Sequence, residues 1–211
     1  MSVLTIYGRA NSSNVMKVLW ACHELDVPFT RVDAGGAFGR TKDPDMLAKN
    51  PMALVPTVET EDGFTLWESH AILHFLANGS PHAARVLPAD PKRRAKMHQW
   101  MDWVLSALGP TMTPVFFGHV RIPPEKRDHA AIRASTIEAG RLWGMLDAEL
   151  SDGRDYACGE FSLADIAFGP HLHRWIMLPV DPNPDLPRLV AYHARLRARA
   201  GFAAHLDHPI T

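Results

Sequence analysis

The sequence predicts an α/β domain followed by an all-α domain: βαβ-α-ββα over residues 1–79, a linker over 80–90, and helices alone over 91–211. Three observations carry this. Short β-branched and aromatic runs recur through the first 78 residues and then cease. Segments with apolar residues at helical spacing separate them and then take over the chain. Between the halves lies Ser80-Pro-His-Ala-Ala-Arg-Val-Leu-Pro-Ala-Asp90, which has two prolines and neither period.

Val3 to Tyr7 (VLTIY) reads as a buried strand. Asn11, Ser12 and Ser13 are helix-start residues, and from Asn14 onward Val15, Val18, Leu19, Cys22 and Leu25 fall on one side of a helix. Val27-Pro28 ends that helix, and Phe29 to Val32 reads as the second strand. A stretch with Gly35, Gly36 and Gly39 follows, then a short helix over Asp45 to Lys49. Val55 to Glu59 and Phe64 to Trp67 read as a hairpin turning at Asp62-Gly63. A helix over Glu68 to Ala77 stops at Asn78-Gly79. The first unit should be a parallel crossover and the second an antiparallel hairpin with its helix, a thioredoxin-like arrangement. In the second half, helices are expected over Pro91 to Leu108, Glu125 to Leu150, Ser162 to about Trp175 and Leu186 to Ala200, with an irregular stretch around Gly109-Pro110 and Pro114.

The chain's 211 residues suffice for two small domains with a substantial core. A net charge of -1 points away from nucleic acid or an anionic membrane as the main partner. The two cysteines, Cys22 and Cys158, stand far apart and form no CxxC, which argues against zinc or a disulfide framework and for a reducing compartment. Twelve histidines include the pairs His70/His74 and His171/His173, but no carboxylate completes a ligand set, so no metal is expected. No basic, apolar leader and no apolar run of about 18 residues is seen, so the expected location is the cytoplasm. Nucleotide-binding glycine motifs are absent.

Four local features carry the chemistry. The turn Tyr7-Gly-Arg-Ala-Asn-Ser-Ser-Asn14 places hydroxyls and free N–H groups at a helix N-terminus, where an anion such as a thiolate is stabilised; the serines could equally serve as helix caps. In Asn50-Pro-Met-Ala-Leu-Val-Pro-Thr57, a Val-Pro pair stands directly before a strand. A cis bond there would turn the Val55 peptide outward, ready to pair with an extended peptide ligand. Glu68-Ser69 opens a helix with a carboxylate and a hydroxyl beside free N–H groups, a site able to hold an α-amino acid head group. Ser162-Leu-Ala-Asp165 has capping-box spacing and reads as structural.

In this order and spacing the motifs resemble the cytosolic glutathione transferases over almost the whole chain, most nearly the bacterial serine-type members related to the theta and nu-like groups. The resemblance implies a thioredoxin-like glutathione-binding domain, a helical domain and a homodimer. It implies that Val55 and Pro56 hold the cysteinyl part of glutathione, that Glu68 and Ser69 hold its γ-glutamyl head, and that Ser162 and Asp165 form a folding cap. The group that activates the sulfur would be Ser12, Ser13 or Asn14, set a few residues before the basic Lys17. Tyr7 ends the strand that supplies a tyrosine in other classes, but its spacing to Lys17 does not match theirs. Some relatives carry a lysine just before the Val-Pro pair; Ala53 and Leu54 stand there instead, so the glycine carboxylate needs another cation, with Arg40 the candidate.

The resemblance also places an electrophile pocket between the domains. Its candidate lining is Asn11, Arg9, Trp103, Met112, Phe116, Phe117 and Arg121, with Arg121 suited to a carboxylate or a leaving anion. The implied activity is transfer of glutathione to small electrophiles, haloacids or aryl halides among them, in a detoxifying role. A glutathione-dependent disulfide reductase or reductive dehalogenase, and a non-catalytic glutathione-binding module, are the alternatives on the same scaffold.

Overall fold

The structure, a computed structural model, describes residues 3–211. Four strands form one sheet in the order β2-β1-β3-β4: β1 Leu4–Tyr7, β2 Phe29–Val32, β3 Thr57–Glu59 and β4 Thr65–Trp67. β1 runs parallel to β2, with Leu4 opposite Phe29, and antiparallel to β3, with Ile6 opposite Val58. β3 and β4 form the antiparallel hairpin, turning through Gly63 at φ 85°. Leu4, Ile6 and Val58 point inward and are buried. β3 begins at Thr57, two residues later than the sequence suggests, because Pro56 has no N–H to give a ladder; the Val55-Pro56 bond is cis.

The α/β domain carries three helices, α1 Ser13–Glu24, α2 Pro44–Lys49 and α3 Ser69–Gly79. The apolar stripe of α1 is buried as its spacing requires, but so is nearly every residue from Val15 to Cys22, Lys17 included. The cause lies in the second domain, whose helices α7 (Leu163–Met177) and α9 (Ala200–His205) cover the face of α1 turned away from the sheet. Trp20 is the contact. It is fully buried between Phe161 and Phe202, and ideal Cβ atoms on Gly169 and Gly201 would stand 2.4 and 2.5 Å from its ring. Trp20 Nε1 donates to Glu24 at 2.8 Å, and Glu24 in turn pairs with Arg199 at 2.7 Å.

The connection over 80–90 is tied down: Ser80 Oγ donates to the Leu25 carbonyl at 3.2 Å, and Arg85 pairs with Asp26 at 2.6 Å. Beyond it lie α4 Pro91–Trp103, α5 Gly109–Phe116, α6 His129–Glu149, α7, α8 Pro187–Arg197 and α9. Residues 109–121 are helical, contrary to the irregular stretch expected from their glycine and prolines. Helical backbone runs unbroken through Leu108 into α5, so Pro110 and Pro114 lie inside it, and wider π turns at Val104–Leu108 and Phe117–Arg121 flank the segment that holds them. The long helix α6 starts at His129, not Glu125, because Asp128 caps it by accepting from the Ala131 N–H at 2.9 Å. The last expected helix, Leu186 to Ala200, is α8, which ends at Arg197; beyond the extended Arg199 lies a further short helix, α9, that was not expected.

At the head of α7, Asp165 is fully buried and accepts from the Ser162 N–H at 2.7 Å, the Ser162 hydroxyl at 3.0 Å, the Ala157 N–H at 3.1 Å and the Tyr192 hydroxyl. One carboxylate thereby ties α7 to α8 and to the loop before it, which accounts for the capping box as a folding element.

Candidate functional site

A cleft at the head of α1 is lined by Asn14, Asn50, Met52, Leu54, Val55, Pro56, Trp67, Glu68 and Ser69. Five of these, Asn14, Val55, Pro56, Glu68 and Ser69, are candidate site residues from three separate stretches of sequence, brought together by the sheet order: β3 lies beside β1, so the loop before β3 and the end of β4 both face the β1–α1 turn.

The Val55 peptide is presented by a rigid loop. Neither its N–H nor its C=O takes a backbone hydrogen bond among the described residues, so both remain available to an extended ligand. Asn50 holds the loop in shape: its buried Nδ2 donates to the Leu54 carbonyl and to Thr57 Oγ1, both at 3.0 Å, and its Oδ1 accepts from the Met52 N–H at 3.0 Å. Ala53 has a φ of 55°, a strained value that this network sustains. Asn50 stood in the motif without a role, since sequence gave no sign that its side chain would return to its own loop.

Glu68 also has a left-handed φ, 69°, at the position capping α3, and its exposed carboxylate stands beside the first turn of that helix. Ser69 is buried there as the first helical residue. A site of one carboxylate next to free N–H groups suits an ammonium and a carboxylate held a bond or two apart.

Asn14 is fixed by its neighbours. Lys17 Nζ lies 3.0 Å from its Oδ1, and a lysine ammonium only donates, so that atom is the amide oxygen. The Ser69 hydroxyl donates to the same oxygen at 3.4 Å. The Asn14 Nδ2 group is therefore the part left to donate into the cleft. Lys17 is itself buried, and burial with the nearby Arg174 brings its pKa down to about 7. Its ammonium also lies 3.3 Å from His70 Nε2, which must accept; burial lowers the His70 pKa to about 2, so the imidazole stays neutral.

Ser12 is the N-cap of α1 and is buried, yet its side chain makes no cap hydrogen bond. The capping role open to it from sequence is not the one its hydroxyl plays. Ser13 is the first residue of α1, half-buried. The Tyr7 hydroxyl donates to Glu59 at 2.7 Å; burial, and then Glu59, raise its pKa to about 12. It is engaged on the sheet and unsuited to stabilising an anion. Arg40 does not line the cleft: it is exposed, with its guanidinium 4.0 Å from Asp45.

The interdomain residues divide. Met112 is buried in the core, and Trp103 packs edge-on against Trp100 and Phe168. Phe117 is exposed beside Phe116. Phe116 lies under two guanidiniums, Arg174 at 3.7 Å and Arg121 at 5.6 Å from its ring centre. Asn11 joins them through its main-chain oxygen, which accepts from Arg174 at 2.9 Å. Arg9 lies over Gly35 and Gly36, where a Cβ on either glycine would stand 3.1–3.2 Å from its side chain. Arg174 was not anticipated; a buried arginine on α7, next to His173, carries no local signal that it reaches Asn11. Larger surface clefts exist, as beside Arg85 and Arg199, but the charges there are already paired with Asp26 and Glu24.

Comparison with known proteins points to one family. The family models of the glutathione S-transferase N-terminal domain and C-terminal domain match residues 11–78 and 130–195. Among curated relatives, glutathione S-transferase GstB of Escherichia coli strain K12 is 40% identical over 190 residues, 88% of this chain and 90% of the relative. Glutathione S-transferase 1 of Schizosaccharomyces pombe is 28% identical, covering 98% of this chain and 96% of the relative. Among solved structures, the theta class glutathione S-transferase of Xanthomonas axonopodis pv. citri with glutathione bound aligns with a TM-score of 0.93 at 38% identity, over the full length of both chains. Its apo form aligns with a TM-score of 0.83, again over both full lengths.

Proposed function

The chain belongs to the glutathione S-transferase family, and from that premise we propose that the cleft at the head of α1 binds glutathione and keeps its thiol ionised. The protein is a transferase that conjugates glutathione. The observation that carries the site assignment is the meeting of an unpaired Val55 peptide, a fixed Asn14 amide and the Glu68-Ser69 helix start in one cleft.

In this reading the tripeptide lies extended along Val55. The Val55 N–H and C=O pair with the cysteinyl main chain as an added strand would. Glu68 takes the γ-glutamyl ammonium, while Ser69 and the first turn of α3 take its carboxylate. The sulfur then points to the start of α1. Asn14 Nδ2 and the uncommitted Ser12 hydroxyl donate to it, aided by the positive end of the α1 dipole. A hydrogen bond to a charged group is worth about 1.5–3 kcal/mol, or roughly one to two pKa units. That moves a thiol of pKa about 8.5 into the neutral range. The thiolate attacks an electrophilic carbon, the S–C bond forms, and the leaving group departs with its electron pair. The protein's own contribution to this step is to hold the two reactants together and the sulfur charged.

The same reading extends to a cytoplasmic homodimer acting in detoxification. It rests on family membership, and the dimer is further supported by large apolar side chains left in water, among them Phe38, Met52, Leu54 and Phe64. Calorimetry tests the glutathione site directly. Titrated with glutathione, the protein should take up one tripeptide per chain, and Glu68→Gln should weaken uptake by about tenfold or more. A well-folded protein that takes up none refutes the assignment.

A further inference from the structure

Lys17 is a cation that the fold encloses without an anion to pair it. Its side chain is fully buried on α1, with α3 and α7 packed against that helix. None of the ion pairs among the described residues includes it. Nζ lies 3.0 Å from Asn14 Oδ1 and 3.3 Å from His70 Nε2, and both partners are neutral. The charged and titratable groups around it are Arg174 and His171 from α7, His70 from α3 and Glu68 at the head of α3. Arg174 repels it, burial keeps both imidazoles uncharged, and the exposed Glu68 attracts it. An ammonium buried in this way is unfavourable unless a further anion stands near.

The contact with His70 serves either charge state. While Lys17 is an ammonium, His70 Nε2 accepts and the ring proton is on Nδ1; while Lys17 is an amine, it can accept from Nε2–H. Nδ1 is buried with no hydrogen-bond partner among the described residues, so nothing else holds the ring to one tautomer. Burial, with Arg174, sets the Lys17 pKa at about 7, close to balance at neutral pH. Asn14 links this group to the cleft. Its oxygen faces Nζ and its Nδ2 faces outward, so a sulfur on Nδ2 would stand on the order of 8 Å from Nζ. At that separation, with an effective dielectric of about 20, opposite charges shift each other by roughly 1.5 pKa units. An anion arriving at Asn14 therefore carries the amine from mostly neutral to mostly charged at about pH 7.5.

We propose that Lys17 is a positioning residue and the counter-ion of the bound thiolate: acting through Asn14, it takes up a proton as glutathione loses one. This rests on the glutathione reading above, in which the γ-glutamyl ammonium occupies Glu68 and leaves the sulfur as the anion nearest to Lys17. The S–H bond breaks and its electron pair stays on sulfur. The proton passes to water in the cleft, and a proton from water is bound at Nζ. Charge is thus separated inside the site with little net release of protons. Once sulfur has bonded to carbon and the leaving group has carried the negative charge away, the ammonium has lost its counter-ion and returns its proton to water.

Calorimetry in buffers of different ionisation enthalpy counts the protons exchanged on binding. Glutathione is compared with S-methylglutathione, which has no thiol proton, and thiolate absorbance counts the thiolate formed. At about pH 7.5 the wild type should release roughly a third of a proton per thiolate. Lys17→Met should release a whole proton per thiolate, with the thiol pKa higher by about 1.5 units. Lys17→Arg, charged throughout, should restore the low thiol pKa and still release a whole proton, a split that a purely structural role would not produce. A whole proton released per thiolate by the wild type overturns the proposal without recourse to any variant. So does a Lys17→Met protein whose proton count and thiol pKa are those of the wild type. Uptake of both ligands with full proton release sinks only the role given to Lys17, whereas uptake of neither by well-folded protein sinks the glutathione reading and this proposal with it.

Discussion

Lys17 Nζ donates to the side-chain oxygen of Asn14 at 3.0 Å, so a buried ammonium decides which end of an exposed amide faces the cleft. While Lys17 carries its proton it can only donate, and the Asn14 Nδ2 group is left to meet the sulfur. Asn14→Ala removes that donor. The glutathione thiol pKa in the complex should rise by about one unit or more, and kcat/KM near pH 6.5 should fall by roughly tenfold to a hundredfold. The deficit should shrink toward pH 9, where the thiol ionises unaided. The bound thiolate absorbance, followed against pH, measures the shift; a deficit independent of pH would show that Asn14 acts in some other way.

Ser12 separates stability from activity. A serine that caps a helix costs about 1 kcal/mol when changed to alanine. Here the hydroxyl makes no cap bond, so Ser12→Ala should leave the urea midpoint nearly unchanged. If the hydroxyl faces the sulfur, turnover should still fall by about tenfold or more. Ser13→Ala, made alongside, should change turnover less. The reverse order would move the activating role to Ser13.

Part of this site could be read from the chain and part could not. The β-branched runs at 3–7 and 29–32, the Val55-Pro56 pair and the Glu68-Ser69 helix start are local signals, and the structure places them in one sheet and one cleft. What failed depends on the second domain. A one-sided stripe on α1 gave no hint that Lys17 would be enclosed, because α7 and α9 close over the other face. Arg174 sits in α7 and reaches Asn11 across 163 residues, a meeting that no local pattern encodes. In 109–121 the glycine and prolines read as breaks, yet π turns absorb them.

The burial of Lys17 makes stability depend on pH in a definite direction. Its pKa is about 7 in the folded protein. The unfolded value is about 10.4, so between these the unfolded chain holds the extra proton and stability rises with pH, by about 1.4 kcal/mol per unit. Cys22 and Cys158 act the other way: burial raises both to about 12. They oppose the rise above their unfolded value of about 8.5. Below about 6.5 the buried histidines His70, His171 and His193, whose pKa values are lowered, remove stability as their unfolded counterparts take up protons. Stability should therefore climb from acid to near pH 8.5 and then decline. Lys17→Met should flatten the segment between pH 7 and 8.5, read by urea denaturation across that range; an unchanged slope would mean that another group carries the proton.

The contact between domains can be tested with two glycines that look alike in sequence. Both Gly144 and Gly169 lie within helices. Alanine in place of a helical glycine usually stabilises by up to about 1 kcal/mol. At Gly144 a Cβ would meet nothing nearer than Leu186 at 4.0 Å, so Gly144→Ala should raise the urea midpoint. At Gly169 the same atom would stand 2.4 Å from the Trp20 ring, which is fully buried and held by Phe161 and Phe202. The ring has nowhere to go, so Gly169→Ala should destabilise by about 1–3 kcal/mol despite the better helix former. Trp20→Leu should be costly alone but should relieve Gly169→Ala, giving a favourable coupling in the double-mutant cycle. Equal effects of alanine at 144 and 169 would mean that Trp20 does not bind α1 to α7 as tightly as the packing requires.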